Sequence, residues 1–137
     1  MTCWTFTIDW MGRPHTANDE RRAHFRTSAK VRKEWKEATI QACRLTKAPK
    51  GLERIGLLIQ PIYVKGQLPD PDASAPTAKA ILDGLVTGKH SKPEHAGYGV
   101  VPDDSGIYVA YVCLMAPIMD RSAKPGVRVI ITHQESS

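Results

Sequence analysis

Trp4, Phe6 and Ile8 alternate with Cys3, Thr5 and Thr7, the period-two signature of a strand with one buried face. Met11-Gly12-Arg13-Pro14 ends it, and the polar, basic stretch from there to Thr27 reads as a loop. Ser28 suits an N-cap, after which Val31, Trp35, Ala38, Ala42 and Leu45 recur at helical spacing. This amphipathic helix is expected to end near Lys47, before Pro49 and Gly51, with Lys30, Lys33, Lys36, Glu37, Gln41 and Arg44 on its other faces. Ile55 to Val64 is a nearly continuous apolar run, which predicts a strand buried on both faces, with Pro61 at an edge or bulge. Pro76 fits the first turn of a second helix whose apolar face is Ala78, Ile81, Leu82 and Leu85 and which Gly88 can terminate. Thr87 to Gly99 reads as a long loop. Ile107 to Met115 then reads as a strand, Pro117 to Gly126 as a polar turn, and Val127 to Ile131 as a last strand with Arg128 outward or at an edge.

The order strand, helix, strand, helix, strand, strand predicts an α/β (α+β) fold with a mixed sheet of about four strands and two main helices. At 137 residues one domain, 1–137, is the natural reading. No stretch approaches the roughly 18 uninterrupted apolar residues of a membrane span, and the N-terminus lacks the pattern of a secretory signal. A cytoplasmic location is therefore expected. Cys3, Cys43 and Cys113 are odd in number and far apart, without a C-x-x-C pair or a histidine at zinc-finger spacing. They read as reduced thiols, which leaves oxygen ligands as the metal chemistry to consider.

Charge changes the picture by its distribution. Residues 1–54 carry twelve Lys or Arg against six Asp or Glu, and residues 55–137 carry seven against eight. A basic front suits a polyanionic partner, because Lys and Arg release counterions from nucleic acid. An excess of Lys and Arg that only keeps the chain soluble explains the same charge equally well.

The acidic back is concentrated in two stretches, Asp70-Pro71-Asp72 with Lys79 and Asp83 downstream, and Asp103-Asp104. Carboxylates crowded in a basic chain suggest a cation between them. Two carboxylates one residue apart in an extended segment point to one side, and a third from a distant stretch closes an oxygen-rich cage of the kind Mg²⁺ and Mn²⁺ prefer. Such ions activate water and stabilise a leaving oxygen in phosphodiester hydrolysis, with Lys79 available to the phosphate. Each residue also has a plainer role. Asp70 and Asp72 suit turns between prolines, Asp103-Asp104 suits a turn after Pro102, and Lys79 and Asp83 suit a surface i,i+4 pair. Only the joint pattern favours chemistry. The two stretches bracket the second helix, and a return through it is expected to bring both to the same end of the sheet.

These residues resemble the RusA-like crossover junction endodeoxyribonucleases (Holliday junction resolvases), including phage and prophage forms. That family carries a D-x-D-N segment, then a helix reading roughly K-A-x-x-D-x-L, then a D-D pair opening a strand. This chain has Asp70-Pro71-Asp72, Lys79-Ala80-Ile81-Leu82-Asp83-Gly84-Leu85 and Asp103-Asp104 in the same order, and Gly12-Arg13-Pro14 with Thr16-Ala17-Asn18 is similar to the loop after the family's first strand. The resemblance implies a homodimeric, Mg²⁺-dependent nuclease, with Mn²⁺ as a substitute, that resolves four-way DNA junctions by paired symmetric cuts. It implies Asp70, Asp72 and Asp104 as metal-binding catalytic acids and Lys79 as catalytic lysine, with Asp83 and Asp103 in support. Arg13, Asn18, Arg21, Arg22, Arg26, Lys30 and Lys33 are the expected DNA contacts. Ala73 stands where the family usually has Asn, the spacer from Asp72 to Lys79 is longer, and so is the Thr87 to Gly99 loop with Lys89, His90, Lys92 and His95. The alternative reading is a branched-DNA-binding module of the same fold that has lost catalysis.

Overall fold

The alternation at the N-terminus produces β1 (Cys3–Asp9), in which Phe6 and Ile8 are buried and Thr5 and Thr7 exposed. The computed structural model describes residues 3–10, 16–22, 25–88 and 93–134, with the backbone alone at residues 18, 20, 22, 25–27 and 94. β1 pairs antiparallel with β5 (Gly126–His133), and β5 pairs antiparallel with β2 (Ile55–Tyr63). On its other side β2 runs parallel to β3 (Val109–Leu114) and, further along, to β4 (Ile118–Met119). This is a mixed five-stranded sheet in a small α+β domain, one strand larger than expected because Ile118-Met119 pairs within the predicted polar turn. β3 also starts later than predicted, leaving Ile107 exposed.

Residues paired across neighbouring strands share a face. Trp4, Phe6 and Ile8 of β1, Val127, Val129 and Ile131 of β5, and Ile55, Leu57 and Ile59 of β2 therefore form one apolar surface. They pack into one core with Trp35, Ile81 and Leu85 from the helices. The expectation that β2 is buried on both faces holds for most of the strand: on the face opposite that core Gly56 and Ile62 are buried, and Leu58 and Gln60 are half-buried. Gly56, on that face, is covered by Tyr111, whose hydroxyl is 2.8 Å from Thr132 Oγ1; a Cβ at Gly56 would fall inside the Tyr111 ring. Pro61 is in the central strand and not at an edge. Ile55 N–H, Ile59 C=O and Tyr63 C=O all face the β3 and β4 side, so the donor Pro61 lacks would point into the gap between those two strands.

Two helices precede β2 where one was expected. Residues 17–22 form α1 (Ala17–Arg22), and α2 (Phe25–Thr46) begins before Ser28, which is a buried helical residue and not its N-cap. The α1 start is a reciprocal cap: Thr16 N–H donates to Asp19 Oδ2 at 2.9 Å and Asp19 N–H to Thr16 Oγ1 at 3.3 Å. α2 ends as predicted. Lys47 adopts the left-handed conformation at φ 53°, with Ala48 N–H donating to Cys43 C=O and Lys47 N–H to Arg44 C=O. The buried stripe of α2 is Trp35, Thr39 and Cys43, whereas Leu45 is 84% exposed. Leu45 lies two residues beyond Cys43, which turns it roughly 160° away, onto the opposite side of the helix.

α3 (Ala75–Leu85) starts with Pro76 in its first turn and buries Ala78, Ile81, Leu82 and Leu85 as predicted. It stops before Gly88, where Val86 bridges in parallel to Val101. Gly84 allows α2 to approach, since a Cβ there would lie 2.8 Å from the Lys36 carbonyl oxygen. The described part of the long loop folds back on α3: Tyr98 N–H donates to Gly84 C=O at 2.8 Å and Val100 N–H to Leu85 C=O at 2.8 Å. The same loop is tied to α2 by Lys36, which donates to the His95 carbonyl at 2.6 Å. No helix among the described residues is long and apolar enough to cross a membrane.

Candidate active site

Helical geometry sets the first part of the site. Lys79 and Asp83 stand one turn apart on the exposed flank of α3, and their charged atoms are 3.2 Å apart. The segment after Val101 passes the same flank, so that Lys79 Nζ donates to Asp104 Oδ2 at 2.7 Å across 25 residues of sequence. The hydrogen bond to Asp104 raises the Lys79 pKa above its ordinary value, with a further contribution from Asp83 and some opposition from burial. The same bond from Lys79 holds the Asp104 carboxyl below the usual carboxylate range. The three side chains remain 56%, 44% and 39% exposed in the order Lys79, Asp83, Asp104, so all are open to solvent and to a ligand.

The second part lies at the start of α3. Asp70 precedes a proline, which restricts it to extended backbone, and it sits at φ −66°, ψ 155°. Pro71–Ser74 then forms a 3-10 turn, closed by Ala73 N–H to Asp70 C=O at 3.0 Å and by Ser74 Oγ to Pro71 C=O at 3.1 Å. Asp70 and Asp72 are thus not two residues of one extended segment, as the sequence suggested. The turn nevertheless puts both on one cleft of about 360 Å³, whose other walls are Ala17, Arg21, Leu68, Pro69 and Ala73. α1 contacts this turn and α3, and so delivers Arg21 to the acidic wall. Ala73 gives that wall a methyl group where the resembling family has an amide.

The two parts are adjacent along α3 but distinct. Asp70 and Asp72 follow β2, Asp103 and Asp104 precede β3, and β2 and β3 are parallel, so the stretches leave opposite ends of that strand pair. They nevertheless converge near the start of α3, where the Pro71–Ser74 turn contacts β3 and Lys79 meets Asp104. Asp103 is half-buried beside Asp104. Of the expected DNA contacts, Lys30 and Lys33 are exposed on α2 and Arg21 is exposed at the cleft. Arg13 lies outside the described residues, as do Lys89, His90 and Lys92, and Asn18, Arg22 and Arg26 are placed on helices by their backbone alone. Sequence reasoning missed α1, and with it the placement of Arg21; the signal was the Thr16-x-x-Asp19 capping box.

Among the described residues no three His, Cys, Asp or Glu side chains are close enough to form a metal site as they stand. Asp104 is engaged by Lys79 and does not line the cleft of Asp70 and Asp72. Mg²⁺ is nonetheless commonly held by one or two carboxylates, waters and the substrate's own phosphate oxygens. The hard-oxygen pair Asp70 and Asp72, in an open cleft, fits that requirement. Neither a family model nor a curated protein gives a significant match to this chain.

Proposed function

We propose that this chain is an Mg²⁺-dependent, structure-selective endodeoxyribonuclease that resolves four-way DNA junctions by paired symmetric cuts as a homodimer. The observation that carries the reading is the 2.7 Å contact of Lys79 with Asp104, which joins two of the three motif segments behind the family resemblance. The third segment supports it by placing Asp70 and Asp72 together in the cleft at the start of the same helix.

Asp70 and Asp72 would hold the metal ion, and the ion would supply a Lewis acid and a nucleophilic water at neutral pH. Asp104 would complete the acidic set on exchanging its Lys79 bond. Lys79, kept protonated by its two carboxylates, is a fixed positive charge for a phosphodiester oxygen. Exposed Lys30 and Lys33 provide sequence-independent phosphate contacts beyond the cleft. A twofold dimer would present two such sites to opposed strands of a junction.

The test is cleavage of a synthetic four-way junction with Mg²⁺ or Mn²⁺. Wild type is expected to cut in symmetric pairs, and Asp70→Asn to bind the junction without cutting. The second reading, a branched-DNA-binding module without catalysis, draws on Ala73, whose methyl offers the cleft no polar atom. Junction binding with no cleavage by wild type under both metals would select it.

A further inference from the structure

The sheet ends at β3, and that end carries little protection. Edge strands are normally blunted by charge, proline or a cover, because their free backbone groups template pairing with another chain. From Ser105 to Met119 there is no charged residue, and β3 itself has no proline. Apolar exposure gathers there: Ile107 is exposed, Tyr111 and Val112 are each 41% exposed, and Cys113 is exposed beside them. A register shift against β2 leaves Ala110 unmatched, so the regular part of the strand runs from Tyr111 to Leu114. Met115 N–H donates to Ile59 C=O, and by strand alternation Tyr111 and Cys113 also turn their backbone groups to β2. Val112 and Leu114 therefore turn theirs outward. Among the described residues no backbone hydrogen bond from elsewhere reaches those two.

We propose that β3 is the dimer interface of this protein, two copies pairing antiparallel along it about a twofold axis at Cys113. This rests on the homodimer of the reading above and locates its contact surface. In that register Val112 of each copy faces Leu114 of the other, and the two outward residues exchange about four backbone hydrogen bonds. A second copy is the occupant that fits, because an uncharged strand meets its own copy without like-charge repulsion and offers nothing to a partner recognised by charge. The axis of such a pair is perpendicular to the sheet, so the two five-stranded sheets join into one and both helical layers stay on the same side. Both Lys79–Asp104 groups, carried by α3, then face the same bound molecule.

The register makes a native reporter of Cys113. Two Cys113 residues would form a non-hydrogen-bonded pair with Cα atoms about 4.5 Å apart, within disulfide reach. Wild type under reduction should sediment as a dimer, and oxidation with diamide should link the copies on a non-reducing gel. Cys113→Ser should remain dimeric and lose the link, whereas Cys3→Ser should keep it. Val112→Lys places a charge in the edge, and Leu114→Pro removes an outward N–H while leaving the pairing with β2; each should weaken the dimer about tenfold or more with an unchanged circular dichroism spectrum. A monomeric wild type would overturn the proposal. So would a dimer that both variants leave unchanged, or a crosslink that is absent or survives Cys113→Ser. Junction cleavage separates the two levels. Symmetric cuts by wild type, with a dimer unmoved by the β3 variants, remove this interface alone; a β3-paired dimer that cuts no junction removes the nuclease reading and leaves the interface.

Discussion

Lys79 links two regions that the chain keeps 25 residues apart, through a 2.7 Å bond to Asp104. Its contribution to stability is bounded by exposure. At 56% and 39% exposed side chains, the pair is screened by water and is worth about 0.2–1 kcal/mol. The pH dependence follows from the two shifts. Lys79, raised from 10.5, contributes fully below its unfolded value and loses its contribution as pH rises through the folded one. Asp104, lowered from 3.8, contributes above its unfolded value and loses its contribution as pH falls through the folded one. The pair therefore helps the fold across the whole range between. Urea melts of Lys79→Met at pH 7 should show a loss of less than about 1 kcal/mol, shrinking in acid as Asp104 protonates. Junction cleavage by the same variant should fall by about 100-fold or more, since a positive charge at the phosphate is removed from a folded protein. A large stability loss with cleavage retained would make Lys79 a structural residue.

At the scale of elements, α2 and α3 decide whether the site is held. Trp35 is fully buried and stacks on Trp10 with ring centroids 4.1 Å apart, so Trp35→Ala is expected to cost about 3–5 kcal/mol in a denaturant titration. Leu45→Glu should change stability by less than about 0.5 kcal/mol, because the side chain is in water. Gly84→Ala forces a methyl against the α2 backbone and should cost about 1–3 kcal/mol. Most element positions were legible in the sequence for local reasons: the alternation at Trp4, Phe6 and Ile8, the proline that starts α3, and the apolar run of β2. What was not legible depended on partners. Thr39 is fully buried only because its hydroxyl returns to the Trp35 carbonyl at 2.8 Å, and polarity alone places such a residue outside. Ile118-Met119 is too short to read as a strand until β2 is there to pair with it.

For the whole molecule, the basic front and the acidic back meet at α1, where Arg21 shares a cleft with Asp70 and Asp72. The sequence pattern named the acids and Lys79, but that Asp104 meets Lys79 while Asp70 and Asp72 line a cleft with Arg21 depends on tertiary packing, which no local pattern encodes. Beyond the cleft, the exposed lysines of α2 are expected to act by charge alone. Lys30→Ala with Lys33→Ala should weaken junction binding and flatten its salt dependence without altering where the junction is cut. An unchanged salt slope in a binding titration would place α2 outside the DNA interface. The central claim, that the acidic wall at the start of α3 cuts branched DNA, is tested most directly by incubating wild type and Asp70→Asn with a labelled four-way junction and Mg²⁺. The account predicts paired symmetric nicks from wild type and intact, bound junction from Asp70→Asn; equal cleavage by both proteins would contradict it.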